Sequence, residues 1–335
     1  MRRIFYIFLL IILISAACNF PGTIQSPASI LSQVLVTPDP NALPTPTPFL
    51  PVAPTLIPPM ETPEVIPTPT EAFVPAVIDP PQGSVNILVM GSDWRPASGF
   101  RTDIMILVVV NTNTGAVSLV SFPRDLYVQL PGIGQHRINT AQQFGGFPLT
   151  VQTFQTNFGV TPHYYVMTNF QGFLNIIDSL GGIEVETSKN LTDECKLPQA
   201  VNGNCSVGPG RVYMDGQTSL WYVRSRYSSS DYDRTRRAQE VLTGLFRKLM
   251  SLDAIVKAPQ LYEQFRNNVE TDIPLDLAIR LSILAPGLVN NPEKIKRFAI
   301  GPSDVWNHVT WDGAQVLLPN PNRIQPILFE ALNVE

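Results

Sequence analysis

Residues 84–125 read SVNILVMGSDWRPASGFRTDIMILVVVNTNTGAVSLVSFPRD, and this stretch contains three apolar runs separated by short polar segments. The runs cover residues 85–90, 104–110 and 116–122 and are rich in Val, Ile and Leu. Short apolar runs bounded by turn residues predict buried strands, and their nearly continuous apolar character predicts a sheet covered on both faces. Asn113-Thr-Gly115 supplies a turn that would join the second and third runs as a hairpin.

Helical and strand patterns then alternate along the rest of the chain. The apolar spacing predicts further strands at 164–167, 183–185 and 297–300. It predicts helices over residues 140–158, 170–180, 216–222, 234–251, 253–267, 274–288 and 321–333. We therefore expect an α/β fold, a three-layer α/β/α single domain of residues 83–335 with a central mixed sheet.

The N-terminus has the pattern of an export signal over residues 1–18. Arg2 and Arg3 precede an apolar stretch at 4–14, and three small residues then precede Cys18. Small residues before a cysteine resemble a lipobox, which predicts lipidation of Cys18 and a lipoprotein anchored to the membrane. The alternatives are an ordinary cleaved signal peptide or a short uncleaved anchor, with Cys18 incidental. Each version predicts an extracytoplasmic location.

Residues 19–82 form a proline- and threonine-rich linker. The segment contains Pro44-Thr-Pro-Thr-Pro48 and a similar run at 67–70, and it has no Lys or Arg. Proline fixes φ and removes backbone donors, so this stretch predicts an extended or disordered spacer that holds the following domain away from a membrane.

Two cysteines remain beyond Cys18. Cys195 and Cys205 lie ten residues apart in a polar segment, and in an oxidising compartment this spacing favours a disulfide that closes a small loop. A metal site is the alternative, but it would require more soft ligands nearby than the sequence provides.

Composition and motifs exclude several classes of function. The net charge of −4 argues against a protein dedicated to nucleic acid, which would have a strongly basic face. The chain contains no Gly-x-Gly-x-x-Gly, P-loop, Gly-x-Ser-x-Gly or His-Glu-x-x-His motif, and its three histidines are far apart.

Charged residues gather where the predicted strands begin and end. Arg101 and Asp103 precede the second run, and Arg124 and Asp125 follow the third. If these two runs pair as a hairpin, the four side chains meet at one end of the sheet. Whether Asp93, which follows the first run, joins them depends on strand pairing.

A second basic group follows in Arg224-Ser-Arg226 and in Asp233-Arg234-Thr-Arg236-Arg237. Arg234 and Arg237 would share a helix face, and Asp233 is a candidate N-cap. Arginine forks suit phosphate oxygens, and two carboxylates can hold a Mg²⁺ that bridges a diphosphate. Surface salt bridges are the alternative interpretation, but the number of arginines at element ends favours a phosphate site.

The ordered series of motifs resembles the LytR-CpsA-Psr family, whose domain is also described as a cell envelope-related transcriptional attenuator. The matching motifs span residues from about 86 to 250: Gly91-Ser-Asp93-x-Arg95, Arg101-Thr-Asp103-x-Met105, Ser121-Phe-Pro-Arg124-Asp125, Arg137-Ile-Asn139-x-Ala141 with Gly145-Gly146, Asp178-x-Leu180-Gly-Gly182, and Tyr222-Val-Arg224-x-Arg226 with Asp233-Arg234-x-x-Arg237.

The resemblance implies a phosphotransferase that moves a glycopolymer from a polyprenyl diphosphate carrier to peptidoglycan or a similar wall acceptor. It implies Mg²⁺ ligation by Asp93 and Asp103, and a catalytic group in which Asp125 positions Arg124. The catalytic residues would be Arg101, Arg124 and Asp125. The diphosphate would bind Arg101, Arg124, Arg224, Arg226, Arg234 and Arg237.

The chain departs from the family pattern in the long helix, where Arg237-Ala238-Gln239 replaces Arg-Gln-Gln. Gln239 lies about 100° further round the helix than Ala238, so it need not substitute for the missing Gln. The resemblance also implies an apolar pocket for the lipid tail, with the candidates Phe144, Phe147, Phe154, Phe158, Phe170 and Phe173. Alternatives to transfer are a non-catalytic module that binds polyprenyl phosphate or wall polymer, and a lipid pyrophosphatase.

Overall fold

The computed structural model describes residues 75–94, 99–226, 230–250 and 265–335. The predicted signal peptide, the lipidation site Cys18, nearly all of the linker and most of the predicted helix at 253–267 lie outside these residues. Within the described part of the chain, no helix combines the length and apolarity needed to span a bilayer.

Fourteen strands are present in the described residues, several of them very short. They are β1 Ser84–Ser92, β2 Thr102–Asn111, β3 Val117–Ser121, β4 Tyr127–Leu130, β5 Gly134–Arg137, β6 Tyr164–Asn169, β7 Ile183–Thr187, β8 Leu191–Glu194, β9 Asn204–Val207, β10 Gly210–Met214, β11 Glu270–Thr271, β12 Ile295–Ala299, β13 Val305–Val309 and β14 Gln315–Pro319.

Six α-helices accompany these strands in the described ranges. They are α1 Ala141–Phe158, α2 Phe170–Ser179, α3 Gly216–Arg224, α4 Asp231–Met250, α5 Leu275–Asn290 and α6 Pro321–Leu332. The helix α1 is kinked, because Gly145 and Gly146 leave the helical region and Gly146 has a φ of +62°. The uninterrupted helix predicted over 140–158 is therefore two helical pieces.

The central sheet has the strand order β11-β6-β1-β2-β3-β12. The predicted hairpin is present, since β2 pairs antiparallel with both β1 and β3. The strands β6 and β12 pair parallel with β1 and β3, so the sheet is mixed, as predicted.

Alternating residues of the central strands supply two separate cores. Leu88 and Leu107 belong to the core that includes residues of α1 and α6. Val89 and Ile106 lie in the core that includes residues of α4 and α5. Because side chains alternate across a strand, nearly continuous apolar runs bury both faces of the sheet, and the three-layer α/β/α fold is confirmed.

The packed chain begins earlier than the predicted start at residue 83. Ile78 is buried in the core beside α1, and its N–H donates to the carbonyl of Gly159 at 3.0 Å. Gly159 has a φ of +68°, and a Cβ there would overlap the carbonyl oxygen of Ala76. A side chain at position 159 would therefore disturb this N-terminal segment.

Short ribbons outside the central sheet were not predicted. They are the pairs β4–β5, β7–β10, β8–β9 and β13–β14. In the β8–β9 region, Cys195 is bonded to Cys205 across a Cα–Cα distance of 5.6 Å, so the disulfide closes the loop between these strands. Except for β7, which was predicted at 183–185, the strands of these ribbons have mixed polar sequences without the apolar runs that predict buried strands.

We predict that Phe122→Ala lowers the free energy of unfolding by about 3–5 kcal/mol, because it opens a cavity in a packed aromatic group. The Phe122 ring lies 4.8 Å from that of Phe154 and 5.1 Å from that of Phe158 between centroids. Urea unfolding measures the change. The exposed Phe329 provides the matched control, since Phe329→Ala should change the value by less than about 0.5 kcal/mol. Equal effects of the two substitutions would contradict the packing described here.

Candidate functional site

A cavity of about 750 Å³ opens where β1 ends and β2 begins. Its wall combines residues from both strands with residues from the parallel strand β6 and from helices α2, α3, α4 and α5. The carboxyl ends of parallel strands are a common place for ligands in α/β sheets. The position agrees with the sheet end at which the charged residues were expected.

The described wall of this cavity is strongly positive. It contains two aspartates, Asp93 and Asp103, and six arginines, namely Arg101, Arg124, Arg224, Arg226, Arg234 and Arg266. The wall thus has a surplus of four positive charges in a chain whose net charge is −4. Such a surplus attracts an anionic ligand, and arginine forks match phosphate oxygens.

The hairpin β2–β3 brings Asp103 and Arg124 together. Ile106 pairs with Ser121, and continuing this register by three residues places Asp103 opposite Arg124. Arg124 Nη1 lies 2.8 Å from Asp103 Oδ1, and Arg124 Nε lies 3.3 Å from Asp125 Oδ2. Asp125 is not part of the described cavity wall, so its carboxylate contacts Arg124 on the side away from the cavity.

Pairing of β1 with β2 brings Asp93 to the same end of the sheet. The ladder shifts register between Gly91 and Ser92, and the Asp93 N–H then donates to the Arg101 carbonyl at 3.1 Å. The Asp93 carboxylate accepts from the Arg101 backbone N–H at 2.6 Å and from Arg101 Nη2 at 3.2 Å. The sequence left open whether Asp93 joins the other charged residues at this sheet end, and the antiparallel pairing of β1 with β2 brings it there.

The second basic group contributes three arginines to the same cavity. The Arg224 guanidinium lies 4.3 Å from the centre of the Phe170 ring, a cation–π contact that fixes it at the end of α3. Arg234, in the first turns of α4, donates to the Asp103 carbonyl at 3.3 Å. Arg226 follows α3 directly and also lines the cavity. The two groups predicted from separate parts of the sequence therefore meet.

Arg237 does not line the cavity, which corrects its predicted place among the diphosphate ligands. Its side chain is almost fully buried, donates to the Ser225 carbonyl at 2.5 Å and faces the Tyr222 ring at 5.7 Å. Burial lowers the pKa of Arg237. Arg234 and Arg237 are three residues apart, as the prediction of a shared helix face required, but only the Arg234 guanidinium reaches the cavity.

A buried carboxylate joins α3 to α4. Glu240 accepts hydrogen bonds from Tyr222 Oη at 2.7 Å, from Arg236 Nη1 at 2.7 Å and from Ser188 Oγ at 2.6 Å. Burial, and then the hydrogen bond to Glu240, raises the pKa of Tyr222. Because Arg224 and Arg234 lie on these two helices, this cluster fixes the second basic group relative to the sheet.

The N-terminus of α4 corrects a further prediction. The helix begins at Asp231, so Asp233 lies inside its first turn and is not the N-cap. The Ser230 hydroxyl accepts from the Asp233 N–H at 3.1 Å and lies 3.0 Å from Asp233 Oδ2, which is the hydrogen bonding of a capping residue.

Ala238 lines the cavity, at the position where the family pattern often has Gln. The neighbouring Gln239 faces the sheet instead, since its amide donates to Ser121 Oγ at 2.6 Å and to the Phe298 carbonyl at 2.8 Å. Gln239 therefore does not replace the missing amide in the cavity.

The apolar wall contains only some of the phenylalanines proposed for it. Phe170 and Phe173 line the cavity, whereas Phe154 and Phe158 belong to the core beneath α1. Phe144 is exposed, and Phe147 packs against Tyr165 away from this cavity. Unforeseen contributors are Phe246 of α4, Phe265 and Arg266. No motif marks these residues, since only tertiary packing brings them to the cavity.

Two aspartates in the cavity are candidate ligands for a metal ion. The described residues contain no group of three or more His, Cys, Asp and Glu side chains placed to hold a metal ion. Asp93 and Asp103 both line the cavity. Magnesium commonly uses one or two carboxylates and completes its shell with water and substrate phosphates. This pair fits an ion that binds together with a phosphorylated ligand, rather than an ion held by the protein alone.

The fold and the cavity define an α/β protein with an arginine-rich anion site beside an apolar wall. A family model described as the LytR_cpsA_psr family matches residues 67–327, and the chain belongs to this family. The resemblance of the ordered motifs is thereby confirmed.

Individual relatives agree with this assignment. The chain is 33% identical over 216 residues to the polyisoprenyl-teichoic acid–peptidoglycan teichoic acid transferase TagU of Oceanobacillus iheyensis, covering 62% of this chain and 65% of TagU. It is 31% identical over 195 residues to the regulatory protein MsrR of Staphylococcus aureus, covering 57% of each. The crystal structure of B. subtilis TagV superposes with a TM-score of 0.62 and 26% identity, covering 74% of this chain and 97% of TagV. The matched regions span less than two thirds of TagU and of MsrR.

We predict that Tyr222→Phe lowers the free energy of unfolding by about 1–3 kcal/mol, because a buried carboxylate loses a hydrogen-bond donor. Urea denaturation followed by circular dichroism gives the value. Tyr213→Phe is the matched control, because the Tyr213 hydroxyl is exposed and donates to a backbone carbonyl, that of Gly181. The role assigned to Glu240 fails if both variants unfold at the wild-type midpoint.

Proposed function

We propose that this chain transfers a glycopolymer from a polyprenyl diphosphate carrier to a hydroxyl group of a cell-wall acceptor. The observation that carries the proposal is a single cavity whose wall unites six arginines and two aspartates with an extensive apolar surface. A lipid diphosphate has the same two parts, an anionic head and a hydrocarbon tail. The name of the relative TagU, a transferase of polyisoprenyl-linked teichoic acid to peptidoglycan, supports this proposal.

The arginines supply most of what this transfer requires from the protein. An acceptor hydroxyl attacks the phosphorus that bears the sugar, forms a new P–O bond and releases its proton to solvent water. The P–O bond to the lipid phosphate breaks, and polyprenyl phosphate leaves with the electron pair. Phosphoryl transfer depends chiefly on positioning and on neutralising the equatorial and leaving oxygens. Arg124 is the best-placed group, because Asp103 and Asp125 hold its guanidinium at the sheet end.

Asp93 and Asp103 would hold Mg²⁺ in this proposal. The ion would neutralise charge on the diphosphate when bound. Without it, the same two carboxylates orient Arg101 and Arg124 through the ion pairs described above. In this proposal the two aspartates therefore position Arg101 and Arg124 and also bind Mg²⁺.

A non-catalytic binding module and a lipid pyrophosphatase are the alternatives. The name of MsrR, a regulatory protein, favours the first. Direct control of transcription does not fit the exported domain that the N-terminal sequence predicts. Incubating the protein with a lipid diphosphate, with and without peptidoglycan fragments, separates the three functions. Acceptor-dependent linkage indicates transfer, release without acceptor indicates hydrolysis, and absence of turnover indicates binding alone.

We also propose that the domain acts outside the cytoplasm, anchored at the membrane through lipidated Cys18. The support is the N-terminal pattern of two arginines, an apolar stretch and small residues before the cysteine. Mass spectrometry of the membrane-extracted protein would detect the acyl groups, and an unmodified Cys18 would contradict the anchor.

We predict that Arg124→Lys lowers the transfer rate by about 10²–10³-fold, because an ammonium group keeps the charge but loses the planar fork. Transfer of a labelled lipid-linked polymer to peptidoglycan is the measurement. The control is Arg211→Lys, since Arg211 is an exposed arginine of β10 that pairs with Glu184 outside the cavity. Transfer at the wild-type rate by Arg124→Lys would rule out this mechanism.

We predict that removing divalent ions with a chelator stops transfer and that added Mg²⁺ restores it. Asp93→Asn and Asp103→Asn should each raise the Mg²⁺ concentration needed for half-maximal rate, because an amide binds a hard cation less strongly than a carboxylate does. The exposed Asp276→Asn is the control, as this residue pairs only with Arg280 among the ion pairs of the described chain. Undiminished transfer in the chelator would exclude the metal site.

A further inference from the structure

The ribbon β13–β14 exposes an unusual group of apolar side chains. Trp306 is 55% exposed, Val309 60% and Trp311 98%, all within six residues of sequence. Trp306 and Val309 lie three residues apart on β13, so their side chains point to opposite faces of the ribbon. Single exposed apolar residues are common, but two exposed tryptophans within six residues of sequence mark a contact surface. The ribbon lies outside the cavity wall.

The exposure of Trp311 follows from an ordered turn. Thr310 Oγ1 accepts from the Ala314 N–H at 3.0 Å and donates to the Asp312 carboxylate, while Gly313 adopts a φ of +83° that favours glycine. These bonds fix the turn with Trp311 at its tip. Packing within the described domain gives no reason for a tryptophan at this position.

The ribbon is attached directly beside the charged end of the central sheet. The Leu317 N–H donates to the Asp125 carbonyl at 2.9 Å. Arg137 reaches both sides of this junction, since its Nη2 donates to the Gln315 carbonyl at 2.8 Å and its Nε lies 3.0 Å from Asp125 Oδ1. Asp125 in turn pairs with Arg124. The ribbon that carries the two tryptophans is therefore bonded, through β14, to the residues that hold Arg124.

The charge of the ribbon identifies the chemistry of its partner. Residues 305–319 contain no Lys or Arg, and their polar side chains are Asn307, His308, Thr310, Asp312 and Gln315. An anionic polymer or an anionic membrane would require basic residues here, as membrane-binding surfaces usually have. Pyranose rings, in contrast, offer apolar C–H faces to indole rings and hydroxyl groups to amides and carboxylates. The surface thus fits a neutral polysaccharide.

We propose that the β13–β14 ribbon binds the acceptor, through Trp306 and Trp311 stacked on the pyranose rings of a neutral glycan strand. The proposal rests on the proposed transferase function, which requires a wall acceptor near Arg124. It assigns donor and acceptor to separate surfaces: the anionic donor head binds the arginine cavity, and the neutral acceptor binds the aromatic ribbon.

The test is co-sedimentation of the full chain with peptidoglycan stripped of anionic polymers. Trp311→Ala and the double variant Trp306→Ala/Trp311→Ala should each weaken binding, the double variant by about tenfold, because each stacking contact is lost. Tyr213→Ala is the control, since it removes an exposed aromatic ring from β10 in another ribbon and should bind as wild type does. Trp311→Ala alone keeps the test valid if the double variant misfolds, because Trp311 contributes almost no buried surface.

Binding of the same variants to phosphatidylglycerol vesicles separates the possible outcomes. Wild-type binding to peptidoglycan by both tryptophan variants would overturn the proposal. A loss confined to phosphatidylglycerol vesicles, with peptidoglycan binding retained, would overturn it in favour of a membrane contact. Sedimentation requires no turnover, so tryptophan-dependent wall binding supports the acceptor surface even where the transfer assay shows hydrolysis. Failure of the proposed function is thereby distinguishable from failure of this inference.

Discussion

The antiparallel register of β2 and β3 is the constraint on which the site depends. Ile106 pairs with Ser121, and the same register continued past the strand ends brings Asp103 opposite Arg124. A slip of one residue would move each side chain of a strand to the other face of the sheet. Both faces of these strands are buried in apolar cores, so a slip would not exchange a buried face for an exposed one. Burial alone therefore does not fix the register, and the turn at Asn113–Gly115 must help to fix it.

Helix α4 connects that sheet end to the rest of the cavity. Successive residues of the helix face different partners: Ala238 lines the cavity, Gln239 bonds to β3 and to the Phe298 carbonyl, and Glu240 binds Tyr222 of α3. Burying the charges of Glu240 and Arg237 is costly unless hydrogen bonds compensate. Glu240 accepts four hydrogen bonds, from Tyr222, Arg236 and both the N–H and the hydroxyl of Ser188, so its charge contributes to one fixed arrangement of the helices that hold Arg224 and Arg234.

The sequence was sufficient for the central sheet and for much of the charged cluster, because apolar runs and a turn determine a hairpin and the hairpin determines which charges meet. It misplaced Arg237, since helical spacing gives a shared face but not which neighbour that face meets. It did not predict Arg266 or Phe246 in the cavity, as neither belongs to a motif and both reach the wall through tertiary packing. The ribbon β13–β14 was not predicted because β13 mixes one tryptophan with polar residues and the two strands lack a fully buried face that would give a regular pattern.

The distribution of charge gives the molecule two surfaces with different chemistry on either side of Asp125. On one side, Arg124 faces a cavity with a surplus of positive charge. On the other, Arg137 joins the same carboxylate to a ribbon that has no Lys or Arg of its own. A transferase for an anionic polymer has to keep its donor from occupying the acceptor surface. In the proposed transferase, the absence of Lys and Arg from the ribbon would remove its attraction for phosphate, and the Arg124–Asp125–Arg137 series would join the proposed donor and acceptor surfaces.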